Sequence, residues 1–314
     1  MKKLLLSLAV SLALVSCSTA PKEAPEESKE LKVMSWNIWH AGHSKAYPEV
    51  GCQGTMNIIK DSEADVIMMI ETYGASDQVA DHLGYYHRLI SSNLSIYSRY
   101  PITKTLTFPD SISTFNFGGV EIDMNGQKVR VFDTWLHYLP DERLVPTDLT
   151  HEQIIEWEKA GSRDDELRAI LNTIAPYLAE ADSIPVIMGG DFNIHSHLDW
   201  TEATKDMYHH GGAVVEWPVS KLMERAGFRD SFREANPDPT VNLGNTWMHP
   251  VDEDKANNQW REDRIDYIYS KGANIETVDS EIYNQELGKM LDFKGKQYFY
   301  ASDHGFVLTT FKIK

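Results

Sequence analysis

The sequence predicts an α/β fold. Short apolar runs of strand length alternate with segments of helical periodicity along most of the chain. Several of the runs are apolar without interruption, as in Val66-Ile67-Met68-Met69-Ile70, which is how strands covered on both faces read. In chain order the strand candidates are Lys32–Ile38, Asp65–Ile70, Leu94–Ser98, Val129–Leu136, Ile184–Met188, Ile265–Ser270 and Phe306–Phe311. Helical periodicity falls near Met56–Ser62, His151–Lys159, Asp165–Leu178 and Pro218–Ala226. No internal repeat and no second linker interrupts the series, so one domain over residues 31–314 is expected. Two long polar connections, Tyr138–Asp165 and His195–Glu216, are placed to carry specificity.

At 314 residues and 42% hydrophobic, the chain is long enough to bury a sizeable core. Its 30 Lys and Arg face 47 Asp and Glu, a formal charge of −17, so an anionic ligand needs a local site or a bound cation. Two cysteines exclude a disulfide framework and a Cys-rich zinc module. Lys2 and Lys3 precede an apolar run from Leu4 to Val15, too short for a permanent membrane span and typical of a secretory signal. The run ends Leu14-Val15-Ser16-Cys17, which resembles a bacterial lipoprotein signal and implies residues 1–17 as signal, with acylated Cys17 the first mature residue. The alternatives are cleavage near Ala20 or a buried cysteine. Ser18 rather than Asp follows, which by the same resemblance favours the outer membrane of the cell envelope. Residues 18–30 lack any large apolar side chain and read as a disordered tether. With Cys17 acylated, Cys52 would be the only remaining thiol.

What ends each apolar run is informative. The first closes on Asn37 and the second on Glu71; the fifth passes through Gly189-Gly190 into Asp191-Phe192-Asn193. Asp266 sits inside an otherwise apolar strand, and Ser302-Asp303-His304 precedes the last one. Charged groups at the mouths of buried strands are costly unless paired or metal-bound. Each alone has a structural alternative: a surface loop at Glu71, turn formation at Asp191 and Asn193, an ion pair of Asp266 with Arg264, a satisfied His304. Together they point to one cleft at the strand ends.

The ordered set Trp36-Asn37, Glu71, Ser98-Arg99-Tyr100-Pro101-Ile102, Gly190-Asp191-Phe192-Asn193, Arg264-Ile265-Asp266-Tyr267 and Ser302-Asp303-His304 resembles the endonuclease/exonuclease/phosphatase superfamily. That group includes deoxyribonuclease I, repair exonucleases, neutral sphingomyelinases and inositol-phosphate 5-phosphatases. The resemblance implies a four-layer sandwich of two packed mixed β-sheets flanked by helices, with the site where the sheets open. One block departs from the pattern. The usual Thr-His-Leu appears as Thr134-Trp135-Leu136-His137-Tyr138-Leu139-Pro140, so either Trp135 or His137 fills the histidine position.

The oxygen donors Asn37 and Glu71, with Asp303, suit Mg²⁺, or Mn²⁺ in its place. Zinc lacks a ligand cluster, since His209 and His210 are adjacent and read as a solvated loop. The resemblance further implies that Asp191 activates the attacking water, Asn193 hydrogen-bonds phosphate or water, and His304, backed by Asp266, donates to a non-bridging oxygen. His137 would be a second donor or the acid toward the leaving group. His40, Asn93, His195 and Trp247 are further substrate candidates, with loop packing as the alternative. The leading expectation is a secreted, membrane-anchored monomeric phosphoesterase acting on a small molecule or lipid head group. A Mg²⁺-dependent endo- or exonuclease of the same fold, using Arg99, Arg163, Arg168, Arg261 or Arg264, is the second. A catalytically silent binding lipoprotein is the third, and the intact set of site residues speaks against it.

Overall fold

Two six-stranded mixed sheets lie face to face, with helices on their outer sides. The computed structural model describes residues 29–40, 50–247 and 263–314. The expected signal, Cys17 and most of the tether lie outside the described residues. The first sheet contains β1 (Lys29–Asn37), β2 (Val66–Ile70), β3 (Tyr86–Leu89) and β4 (Leu94–Ser98). The second contains β5 (Ile102–Leu106), β6 (Phe117–Met124), β7 (Gln127–Trp135), β8 (Val186–Asp191), β9 (Arg229–Asp230) and β10 (Asp266–Lys271). The chain then returns with β11 (Ile275–Tyr283), a small hairpin β12 (Met290–Phe293) and β13 (Lys296–Phe299), and β14 (Phe306–Ile313). Strand order is β11-β14-β1-β2-β4-β3 in one sheet and β5-β6-β7-β8-β10-β9 in the other.

Each sheet has one parallel pair at its centre, β1 with β2 and β7 with β8, and antiparallel neighbours elsewhere. A parallel pair requires a crossover, and helices supply it. In the first sheet it is α1 (Val50–Ser62); α2 (Ser76–Leu83) follows β2. In the second it is α3 (His151–Glu158) and α4 (Arg163–Ala179). The start of α3 is fixed by a capping box: Thr150 accepts from the Gln153 amide while Gln153 reaches back to the Thr150 amide. The first turn of α4 carries Asp164, Asp165 and Glu166, favourable at a helix N-terminus. Two shorter helices, α5 (Pro218–Arg225) and α6 (Ser231–Ala235), complete the set, the latter capped by Asp230.

Strand alternation explains why uninterrupted apolar runs carry the functional groups. On β1, Leu31 and Val33 enter the core between the sheets, whereas Met34 and Trp36 pack outward with Ile58 and Ile59 of α1. Asn37 therefore continues the inter-sheet face by period two. The same count places Asp191 in line with Ile187 on β8, Asp266 with Ile268 on β10, and Trp135 with Val131 on β7. The strand ends of both sheets thus deliver polar groups to one opening.

The structure also departs from the sequence reading. Strand β1 begins at Lys29, inside the expected tether, because Lys29 and Glu30 pair with Ile313 and Lys312 of β14. Lys29 Nζ adds a bond to Met124 O. The strands β3, β5 and β11 escaped the apolar-run criterion because β3 is exposed throughout and only part of β5 and β11 is buried. Strand β6 escaped because Gly118-Gly119 interrupts it where neighbouring side chains crowd the backbone.

Gly190 links this packing to the site. Its φ of +137° suits glycine, and a Cβ there would collide with the Thr134 backbone. Gly190→Ala is expected to lower the unfolding free energy by about 2–4 kcal/mol in urea denaturation. A change below about 0.5 kcal/mol, the range of ordinary surface substitutions, would contradict this packing.

Candidate active site

Asn37, at the C-terminal end of β1, joins the two sheets. Its Nδ2 donates to Glu71 Oε1 and to Asp191 Oδ2, each at 3.1 Å. Its Oδ1 accepts from the Trp39 amide at 3.0 Å, and its carbonyl accepts from Ser302 Oγ at 2.6 Å. One buried amide thereby holds a carboxylate from each sheet.

Glu71 follows β2 with φ +59°, and Tyr73 is also left-handed at +33°. Non-glycine residues adopt this region rarely, and surrounding bonds must hold them there. Asn93 does so: its Oδ1 accepts from the Glu71 amide at 3.0 Å, and its Nδ2 donates to Phe115 O at 2.9 Å. Asn93 is buried and engaged at both ends of its amide, so the structure gives it the work of holding Glu71 rather than contact with substrate. Burial raises the Glu71 carboxyl above the usual carboxylate range, against the attraction of His304.

Asp191 and Asp266 are direct register partners on the antiparallel strands β8 and β10. Both are buried. Asp191 Oδ1 accepts from the Asn193 amide at 2.9 Å, and Asn193 Nδ2 reaches Leu136 O, also at 2.9 Å. Asp266 Oδ2 meets His304 Nδ1 at 2.9 Å, while His304 Nε2 stands 3.9 Å from Asp191 Oδ2 and 3.9 Å from Asp303 Oδ1. Burial pushes the Asp191 carboxyl upward, and the neighbouring Asp266 pushes it further. Burial alone would favour neutral His304, but Asp266, Asp303 and Asp191 outweigh it and hold the imidazole well above its usual range. The result is an imidazolium between carboxylates.

The remaining candidates divide. His40 is exposed and stacks on Tyr73 at 4.6 Å, beside Glu71. Trp247 forms an isolated bridge to His304, its ring 6.2 Å from the imidazole. His195 lies in the core rather than at the mouth, between Trp200 (4.9 Å) and Trp217 (5.0 Å), with Nδ1 3.3 Å from Asp263. His210, expected in solvent, is buried against Trp200 with rings 4.0 Å apart. Trp135 is the register partner of Asp191, so this tryptophan takes the place beside Asp191 on the inter-sheet face. His137 follows two residues later, next to Leu136, whose amide donates to Asp191 O at 3.0 Å. Arg264 does not pair with Asp266; it is buried in a network with Asp199 and Asp230.

Sequence reasoning missed several supports. Thr246 Oγ1 accepts from the Ile265 and Asp266 amides, fixing the entry to β10. The Trp36 indole and the Tyr300 hydroxyl both donate to His304 O, at 3.0 and 2.7 Å. Asp133, buried one alternation below Trp135, has a carboxyl held well above its usual range by burial. Trp36 stood in the motif beside Asn37, but its bond to the His304 backbone, like those of Thr246 and Tyr300, depends on tertiary contact that no spacing reveals.

Asp191, Asp266 and His304 could hold an ion, each offering a ligand atom within 4.8 Å of the others, although His304 Nδ1 faces Asp266. Of the expected oxygen ligands, Asn37 turns its Nδ2 to Glu71 and its Oδ1 to the Trp39 amide, and the buried Asp303 Oδ1 has no hydrogen-bond partner among the described residues.

The sequence matches the Endonuclease/Exonuclease/phosphatase family over residues 34–304. The chain belongs to that family. Membership makes it a metal-dependent phosphoric ester hydrolase, the class formed by the family's nucleases and phosphatases. An uncharacterized protein of Caenorhabditis elegans, F14F9.5, is 29% identical over 294 residues, covering 88% of this chain and 90% of that protein. Among solved structures, an endonuclease/exonuclease/phosphatase family protein from Bacteroides thetaiotaomicron superposes with a TM-score of 0.60 at 14% identity, covering 92% of this chain and 99% of that one. The TDP2 of D. rerio, complexed with a single-strand DNA product, superposes with a TM-score of 0.59 at 16% identity, covering 90% and 98%. At these identities the likeness is one of fold, the DNase I-like sandwich.

The imidazolium assignment has a direct check. In an NMR titration, Asp266→Asn is expected to lower the His304 pKa, because the negative charge that most strongly opposes the effect of burial is removed. An unchanged His304 titration would contradict the assignment.

Proposed function

We propose that this cleft hydrolyses a phosphoester of a small molecule or lipid head group by in-line attack of a water on phosphorus. The observation that carries the reading is the Asn37 bridge, which sets Glu71 and Asp191 3.1 Å from one nitrogen while the His304–Asp266 pair closes the other side. Asp191 accepts the proton of the attacking water, and its raised affinity for protons suits a base working near neutrality. Asn193 keeps Asp191 in orientation through its amide. His304 donates from Nε2 to a non-bridging oxygen, and Asp266 fixes the ring and its charge. His137 supplies a proton or hydrogen bond to the leaving oxygen. Glu71 and Asp303, beside Asn37, would hold Mg²⁺ or Mn²⁺, which would supply Lewis-acid polarisation of a phosphoryl oxygen.

Charge supports a small substrate over a nucleic acid. Arg163 and Arg264 are buried in ion networks, while Arg99 pairs with Asp65 and Arg168 with Asp164. Arg261 lies outside the described residues. Polynucleotide backbones are ordinarily met by a basic face. The second reading, a nuclease, draws on the DNA product in the TDP2 relative. In the leading reading the enzyme acts as a monomer, tethered to the outer membrane by acylated Cys17. Among the described residues no helix is long and apolar enough to cross a membrane.

Hydrolysis of bis-p-nitrophenyl phosphate, p-nitrophenyl phosphate, sphingomyelin and a single-stranded oligonucleotide, each with Mg²⁺ and with EDTA, tests the reading. Metal-dependent turnover of a small ester or lipid above that of the oligonucleotide is expected; faster cleavage of DNA would favour the nuclease. Asp191→Ala should lower kcat by about 10²–10⁴-fold. Retained activity would remove Asp191 from the reaction.

A further inference from the structure

We propose that the first turn of α4 is a positioning device for His137, with Glu166 and Arg163 as its working side chains. The proposal rests on the phosphoester-hydrolase reading, in which His137 serves the leaving group. Among the described residues no hydrogen bond joins His137 to Asp191, Asp266 or His304, so something else must fix it.

The segment 136–140 is held from α4. Glu166 Oε2 accepts the His137 amide at 3.0 Å, and Ser162 Oγ donates to Glu166 Oε1 at 2.6 Å, steadying the carboxylate. Arg163, fully buried, donates Nη2 to Pro140 O and Nη1 to Asn193 O. The same guanidinium is gripped by both oxygens of Glu158 at 3.0 Å. Gly161 completes the seat: a Cβ there would strike the Leu139 carbonyl and the Pro140 ring.

These bonds close a ring. Asn193 Nδ2 donates to Leu136 O at 2.9 Å, the chain runs through His137 to Pro140, and Arg163 returns from Pro140 O to Asn193 O. Asn193 itself is held at φ +52°, a conformation that needs such restraint. Within the ring of bonds, the Leu139 amide donates to His137 Nδ1 at 3.1 Å. An accepting Nδ1 places the proton of the neutral imidazole on Nε2, so Nε2 is the donor the segment presents. Arg163 thus fixes His137 relative to Asn193, the neighbour of Asp191, and Glu166 fixes the peptide that carries the ring.

A double-mutant cycle tests the assignment, with hydrolysis of bis-p-nitrophenyl phosphate in Mg²⁺ as readout. Glu166→Ala is expected to lower kcat about tenfold, as loss of placement does, with KM changed less than about twofold. Glu166→Gln, which keeps an acceptor oxygen, should recover most of the loss. In a His137→Ala background Glu166→Ala should cost nothing further. Ser162→Ala, which frees the same carboxylate, should act in the same direction and serves where Glu166→Ala folds poorly. Fully additive losses, or an unchanged kcat in Glu166→Ala, would overturn the proposal. Amide exchange at His137 provides a readout independent of turnover: it should accelerate in Glu166→Ala, and an unchanged rate also overturns the proposal. Absence of hydrolysis by the native enzyme, with accelerated exchange in the variant, would instead reject the phosphoester reading while leaving the device in place.

Discussion

Asp191 and Asp266 face one another across neighbouring strands, buried at the same end of one sheet, and Glu71 approaches them from the other. Bringing carboxylates together out of water costs several kcal/mol per charge in real proteins, before their mutual repulsion is counted. The arrangement persists because most of these oxygens meet a donor, although Asp266 Oδ1 is buried without a hydrogen-bond partner among the described residues. His304 carries the positive charge, Asn37 supplies an amide to both sheets, and the Asn193 backbone takes another Asp191 oxygen. The same groups that make burial tolerable are those a phosphoryl group needs. Burial and the proposed chemistry are therefore coupled at this point, and a substitution that neutralises a carboxylate relieves repulsion within the cluster.

Topology decides where this happens. Both sheets centre on a parallel pair, and the C-terminal ends of those four strands carry Asn37, Glu71, Asp191 and the chain leading to His137. The antiparallel partners start there as well: β10 opens on Asp266, and β14 begins at Phe306, two residues after His304. Open α/β sheets gather ligands outside the carboxyl ends of their parallel strands. Here two such ends, one from each sheet, face a common opening. The His304 backbone is fastened to β1 through Ser302 and the Trp36 indole, and the Tyr300 hydroxyl also donates to its carbonyl, so the imidazole is held beside the carboxylates.

Much of this was legible in the sequence because buried strands must be apolar, which makes a polar terminus conspicuous. Asn37, Glu71, Asp191, Asp266 and His304 stood out in that way, and they lie together. Histidines without such context were ambiguous, and they resolved differently: His40 lies at the mouth, whereas His195 and His210 serve as flat core residues against tryptophans. Asn93 was visible only as a neighbour of a motif; its work on the Glu71 backbone depends on a left-handed turn that no composition reveals. Arg163 was visible only as a candidate phosphate contact. Its burial follows from the meeting of α3, α4 and the segment after β7, a tertiary arrangement with no local signature. Exposed strands were hidden for the converse reason: β3 is wet on both faces, and exposed residues dilute the apolar pattern of β11.

Function at this cleft turns on where a divalent cation sits among the acids. Titration of Mn²⁺ followed by electron paramagnetic resonance addresses it directly, in the native chain, in Glu71→Gln and in Asp266→Asn. One ion per native chain is predicted, bound at least about tenfold more weakly in Glu71→Gln and with little change in Asp266→Asn, as expected when the first position is a ligand and the second orients a histidine. Undiminished binding in Glu71→Gln, with loss in Asp266→Asn, would place the ion on the histidine side and contradict this assignment of roles.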